Sequence, residues 1–225
     1  MNSRSMAQSC AAIALAVMPA QAGHGADLLG HWDFNAEGGA RVTDRSGRGH
    51  HGTIHGAPKR EPGLSGEALR FAMAADFVDF GAAIIPARDF TISVWINCDD
   101  TEKQFFLGQY LYAHPSRLDL AVREGCVRIQ IGELMDSPKV VQAHQWHHLA
   151  YTRAGDQVKI HLDGKVITEA RLPAPVIQTQ PLMVGKIVVP NQDSFRFTGL
   201  MDELKVWDAA LDAAEVHKAY QKLKR

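Results

Sequence analysis

The sequence predicts an all-β protein, a two-sheet antiparallel β-sandwich closed by one short C-terminal helix. Three observations carry this expectation. Apolar residues alternate with polar ones at period two along most of the chain, the alternating runs are short and separated by turn residues, and only one segment, near the end, repeats at helical spacing. Short strands with frequent turns build a sandwich or jelly roll.

The chain begins with a segment of a different kind. Residues 1–22 place Arg4 before the apolar run Ala11-Ala12-Ile13-Ala14-Leu15-Ala16-Val17-Met18, then Pro19 and the small-x-small triplet Ala20-Gln21-Ala22. That order of charge, apolar run and small residues is a secretory signal peptide with cleavage near Ala22, so export to a secreted, periplasmic or extracellular location is expected. Cys10 precedes the apolar run and is not placed as a lipid anchor, so the product is expected to be free. Residues 23–225 then form one domain, with no internal repeat and no linker long enough to divide them.

Along that domain, strand-like runs lie at Leu28 to Phe34, Ala68 to Phe71, Phe90 to Ile96, Phe105 to Gln109, Leu118 to Val122 and Val127 to Ile131. Trp146 to Arg153, Val158 to Leu162, Val166 to Ala170, Leu182 to Val184 and Phe197 to Trp207 complete the set. In Phe90, Ile92, Val94 and Ile96 the apolar residues alternate with Thr91, Ser93 and Trp95, the pattern of a strand with one covered face. Asp163-Gly164 supplies the positive φ angles of a two-residue hairpin, which pairs the flanking strands antiparallel. Asp212 followed three residues later by Glu215 is a capping arrangement, and Val216, Tyr220 and Leu223 recur at helical spacing behind it.

Composition restricts the partners. The 225 residues carry 24 Lys and Arg against 25 Asp and Glu, a net charge of −1, and 46% are hydrophobic, as in an ordinary globular domain. No basic run supplies the phosphate contacts that nucleic-acid binding requires. No stretch approaches the roughly 18 apolar residues of a bilayer span, so membrane insertion is not expected. Beyond the leader, two cysteines remain, Cys98 and Cys126, and an oxidising compartment allows either a disulfide between them or two separate thiols.

Six motifs in order resemble a known family. Asp44-Arg45-Ser46-Gly47-Arg48-Gly49-His50-His51-Gly52 follows Trp32 and is similar to a D-x-S-G-x-G-x-x-G loop, and Gly66-Glu67-Ala68-Leu69-Arg70-Phe71 is similar to G-x-A-L-x-F. Val94-Trp95-Ile96, Trp146-His147-His148-Leu149-Ala150, the Asp163-Gly164-Lys165 hairpin and Phe197-Thr198-Gly199-Leu200-Met201-Asp202-Glu203 follow, leading through Trp207 to Ala210-Leu211 and Glu215. From about Leu28 to Tyr220 the chain resembles the LamG-like jelly rolls of the concanavalin A-like lectin and glucanase superfamily. Asn35 and Asp208-Ala209 depart from the family pattern, and no ligand or ion-pair role is carried to them.

The resemblance implies a secreted recognition module, for carbohydrate in the first reading and for an extracellular protein or an envelope structure in the second. It also implies a structural calcium ion at Asp44 and Asp202, with main-chain carbonyls near Gly47 and His50. The alternative is that Asp44 forms an Asx turn and Asp202 caps a strand end. Hydrolase or lyase activity is the third reading, and the residues speak against it. Asp202 and Glu203 are adjacent rather than alternate, and Gly132 stands after Gln130-Ile131 where a lyase strand has histidine.

Of the histidine groups His50, His51, His55 and His144, His147, His148, the strand neighbours His147 and His148 face opposite sides and are poor zinc ligands, while His50, His51 and His55 lie in a loop region that allows a metal, with a solvated turn as the favoured reading. Trp32, Trp95, Trp146 and Trp207 fall at family strand positions and are expected in the core. Tyr110, Tyr112, His114 and Arg117 lie in a loop between strands, and these are the expected ligand-binding residues, with packing on the sandwich rim as the alternative.

Overall fold

The computed structural model describes residues 25–35 and 39–224; the leader expected at 1–22 lies outside them. The strands are β1 (Leu28–Trp32), β2 (Arg41–Val42), β3 (Gly52–His55), β4 (Lys59–Pro62), β5 (Glu67–Phe71), β6 (Phe77–Asp79), β7 (Phe90–Cys98) and β8 (Lys103–Gln109). They continue as β9 (Leu118–Arg123), β10 (Cys126–Ile131), β11 (Glu133–Lys139), β12 (His147–Ala154), β13 (Gln157–Leu162), β14 (Lys165–Arg171), β15 (Leu182–Val184) and β16 (Gly199–Trp207), before the helix α1 (Ala213–Gln221).

Two eight-stranded sheets result. The first runs β14-β13-β12-β7-β16-β5-β4, with β1 added to β16, and the second runs β11-β10-β9-β8-β15-β6-β3-β2. Between them lies the main core, where Ile92, Val94, Ile96, Leu149, Tyr151, Ile160 and Met201 of the first sheet share one buried cluster with Leu118, Leu120, Val122, Val127, Ile129 and Ile131 of the second. Full burial of each such aliphatic side chain contributes about 1.5–3 kcal/mol. The expected two-sheet antiparallel sandwich with one short C-terminal helix is the observed fold.

Alternation in sequence does not produce an open face on the first sheet. Thr91, Ser93 and Trp95 of β7, and His148 and Thr152 of β12, are all buried although they point away from the core. The helix and its connection cover them. Thr91 fixes that connection, donating its hydroxyl to the Ala209 carbonyl at 2.8 Å and accepting the Leu211 amide at 2.8 Å. The Asp163-Gly164 turn forms as expected, with φ of 48° and 76° and Leu162 paired to Lys165. A β-carbon on Gly164 would run into His217 and Tyr220, so glycine there serves both the hairpin and the close approach of α1.

Five strands escape the sequence reading: β2, β3, β4, β6 and β11. They are short, or polar and at sheet edges, as in Lys59-Arg60-Glu61-Pro62, and so show little period-two signal. In β16 the register shifts between Asp202 and Lys205, where Glu203 adopts φ 51°. The first part of the strand pairs with β5, and from Leu204 onward it pairs with β1.

The helix starts on a capping box. Asp212 accepts the Glu215 amide, and the Glu215 carboxylate accepts the Asp212 amide, both at 2.8 Å. Replacing Asp212 with Ala is expected to cost about 1 kcal/mol of unfolding free energy, seen as a lower urea midpoint at unchanged slope.

Candidate functional site

The structure gathers the loop residues picked out from sequence at one end of the second sheet, on the face turned from the main core. Gln109 ends β8 and anchors the loop. It is fully buried, its side-chain oxygen accepts the Ile84 and Ile85 amides at 3.0 and 3.1 Å, and its NH2 donates to the Ile85 and Ile177 carbonyls at 3.1 and 2.6 Å. With all of its bonds made inside, Gln109 holds the loop base rigid. The chain then turns through Ala113 at φ 58°, and Leu111 and Tyr112 stand out at 41% and 56% exposure.

His114 closes the turn: its carbonyl accepts the Arg117 amide at 3.2 Å and its Nδ1 accepts the Ser116 amide at 3.0 Å. The Arg117 guanidinium lies 5.9 Å from the centre of the Tyr110 ring, a cation–π distance, and donates to the His114 carbonyl at 3.2 Å. Tyr110, His114 and Arg117 therefore form one unit, and Tyr112 stands beside it in the same loop with its ring open to solvent.

Asp119 joins this group, and sequence did not single it out. It is buried on β9, opposite the side-chain-free Gly108 and beside Gln130 of β10. Its ion pair with Arg117 spans 4.0 Å, while the buried Arg117 Nε has no hydrogen-bond partner. Burial pushes the Asp119 carboxyl up to about 7, against the opposing charges of Arg117 and Arg128. Arg128 itself is committed to Asp136 by two bonds of 2.7 and 2.6 Å. The open ring of Tyr112 thus shares its loop with Tyr110 and Arg117, and Arg117 ties that loop to the buried Asp119.

The residues expected around calcium behave differently from one another. Asp44 has both oxygens filled: Oδ1 accepts the Ser46 and His31 amides at 2.8 and 3.1 Å, and Oδ2 accepts the His50 amide and the Ser46 hydroxyl, both at 2.9 Å. Burial pushes its carboxyl up, but these donors outweigh burial and hold it below the ordinary value. The Asx-turn alternative describes Asp44, with Gly47 at φ 84° and His50 serving as parts of the same turn. Asp202 is separate. Its Oδ2 accepts the Leu64 amide at 2.9 Å, whereas its Oδ1 is buried without a partner. Among the described residues, no three His, Cys, Asp or Glu side chains converge on a common point.

Asp202 and Glu203 turn to different partners. Asp202 turns to the Leu64 amide, while Glu203 turns to His31 at 3.1 Å and to Lys205. Burial pushes the Asp202 carboxyl up to about 6; for Glu203, burial is outweighed by His31 and Lys205, which bring it to about 2. The histidines are also engaged singly. His147 pairs with Asp163 at 3.1 Å, His55 stacks on Phe77 at 4.3 Å, and His50 contacts the Leu29 carbonyl at 2.9 Å. Cys98 and Cys126 are two free thiols, one on β7 of the first sheet and one on β10 of the second. Of the tryptophans, Trp32 lies in the main core, Trp95 is buried on the outer face beneath α1, and Trp146 and Trp207 are only half-buried, so the expectation of four core tryptophans holds for Trp32.

Comparison with known proteins agrees with the fold. The family model described as the concanavalin A-like lectin/glucanases superfamily matches residues 73–217. Domain 4 of AbnA, a GH43 extracellular arabinanase from Geobacillus stearothermophilus solved with arabinotriose, superposes with a TM-score of 0.70 at 18% identity, covering 87% of this chain and 99% of that one. The binding domain of Paraclostridial Mosquitocidal Protein 1 gives 0.67 at 14% identity, covering 87% of this chain. The receptor-binding domain of the botulinum neurotoxin C/D mosaic serotype gives 0.66 at 12% identity, also covering 87%. This chain spans about half the length of those two toxin domains, 52% and 51%. No curated protein sequence matches the chain.

The raised carboxyl of Asp119 fixes a sign. Between the ordinary carboxylate value of 3.8 and about 7 the folded state holds a proton that the unfolded state has lost, so this group makes stability fall as pH rises through that window. Asp119→Asn is expected to melt above wild type at pH 8, with the difference shrinking toward pH 4, as followed by circular dichroism.

Proposed function

Because the chain belongs to the concanavalin A-like lectin/glucanases superfamily, we propose that it is a non-catalytic, exported recognition module that binds carbohydrate at the β8–β9 surface. The observation that carries this reading is the open ring of Tyr112 in the same loop as the tied pair of Tyr110 and Arg117. A sugar ring offers an apolar face for the aromatic and hydroxyls that both donate and accept. The partly exposed Arg117 guanidinium meets the hydroxyl oxygens, and the buried Asp119 carboxyl holds it from behind. The arabinanase domain of the same fold, solved with arabinotriose, supports the carbohydrate reading. An extracellular protein is the second reading, supported by the toxin receptor-binding domain of the same fold.

A calcium ion, within this proposal, enters at Asp202 and not at Asp44. Asp202 Oδ1 is the one carboxylate oxygen of the expected set that is buried and unpartnered. A bound cation would supply structural charge compensation there, favouring the ionised carboxylate against burial. Calcium is expected to raise the melting temperature of the wild type and not of Asp202→Asn. A melting temperature indifferent to both EDTA and calcium rejects the ion.

The function is tested by electrophoresis of the purified protein through gels containing a panel of polysaccharides. Retardation by at least one polymer is expected, and Tyr112→Ala should weaken it at least tenfold because the stacking face is lost. Unchanged mobility across the panel rejects the sugar reading and turns the search to a protein partner.

A further inference from the structure

A cavity of about 290 Å³ opens on the opposite side of the molecule, where α1 lies on the first sheet, and the surface described above does not use it. Its walls are aromatic: Trp95 from β7, Trp146 just before β12, and Tyr220 from α1. Asp163 and Lys224 contribute the charged groups. The walls are fixed in place. Trp95 and Tyr220 stack at 5.6 Å with 24° between their planes, and His148 backs Trp95 at 5.2 Å. Trp146 is half-buried and has no ring partner of its own among the described aromatic contacts.

Asp163 is equally well held. Its Oδ2 meets His147 Nδ1 at 3.1 Å and its Oδ1 accepts the His148 amide at 2.9 Å, so each oxygen keeps a lone pair for a further donor. Burial acts to raise its carboxyl, but His147 and the His148 amide outweigh burial and keep it ionised. The Lys224 ammonium lies 5.6 Å from the centre of the Tyr220 ring.

These groups select a ligand chemistry. An aromatic cage of this kind would suit an organic cation, but Lys224 already occupies the cation–π position and repels a second positive charge. An anion meets the ionised Asp163. What remains is an uncharged ring with one apolar face and a hydroxylated edge, and the volume is at the lower limit for small-molecule sites, suited to one ring and not to a chain. We propose that this cavity binds a single neutral sugar ring, stacked on Trp146, with hydroxyls to Asp163 and Lys224. The inference rests on the carbohydrate reading and adds a second contact to it, on the opposite sheet. A module with two such contacts engages two stretches of one polymer, or two polymers, at once.

The test is saturation-transfer NMR with the methyl pyranosides of glucose, galactose, mannose and arabinose, on wild type, Trp146→Ala, Lys224→Ala and Tyr112→Ala. At least one glycoside is expected to receive saturation from wild type and from Tyr112→Ala, and to bind at least tenfold more weakly to Trp146→Ala. Lys224 is exposed, so Lys224→Ala leaves the fold intact and should weaken the same glycoside about threefold or more. Transfer lost in Tyr112→Ala but kept in the two cavity variants overturns the cavity site while leaving the carbohydrate reading standing. No transfer to any glycoside, with polysaccharide retardation still present, overturns the cavity site alone; absence of both overturns the two readings together.

Discussion

Strand β7 must be covered on both sides, and this requirement organises the molecule. Its inward residues, Phe90, Ile92, Val94 and Ile96, make the middle of the main core, as alternation demands. Its outward residues, Thr91, Ser93 and Trp95, are buried as well, which forces a second layer onto the sheet. Thr91 receives the chain as it leaves β16, Trp95 receives Tyr220, and the capping box starts α1 at the position where it lies down on both. Polar groups enclosed by this layer must be neutral or paired. His148 is accordingly pushed down to about 4 by burial and stays uncharged beside Trp95.

The two outer faces of the sandwich therefore differ. The first sheet carries the helix on its outer face, with the aromatic opening beside the helix's end. The second sheet is covered by a minor cluster of Phe105, Ala121, Ile187 and Val189, flanked by Tyr110 and Phe195. Beyond the edge of that cluster lie Asp119, Arg117 and the exposed end of the β8–β9 loop. A rigid base at Gln109 under an exposed loop tip is the arrangement in which a connection can carry recognition without loosening the sheet beneath it.

Much of this was legible in the sequence. Alternation fixes which residues of β7, β9, β10, β12 and β13 face the core, and Asp163-Gly164 and Asp212 with Glu215 mark a turn and a helix start by local chemistry alone. The loop aromatics stood out because large rings in a connection have no sheet face to fill. Asp119 was hidden, since in Leu118-Asp119-Leu120 it reads as any solvent-facing strand residue, and its burial is a property of the folded sheet. The break in β16 was hidden for a similar reason. Glu203 is not a residue that favours φ 51°, and its partners, His31 and Lys205, are supplied by the folded arrangement. Trp146 matched a strand motif, yet its half-exposure depends on where the end of α1 comes to rest.

The pairing of β1 with β16 joins the two extremes of the domain, and His31 meets Glu203 across 172 positions of sequence. During synthesis β1 waits for β16, so the first sheet has an open place until residues 199–207 are available. Loop closure over such a span comes late and slowly. The first sheet therefore acquires its resistance to unfolding only when β1 and β16 are present together.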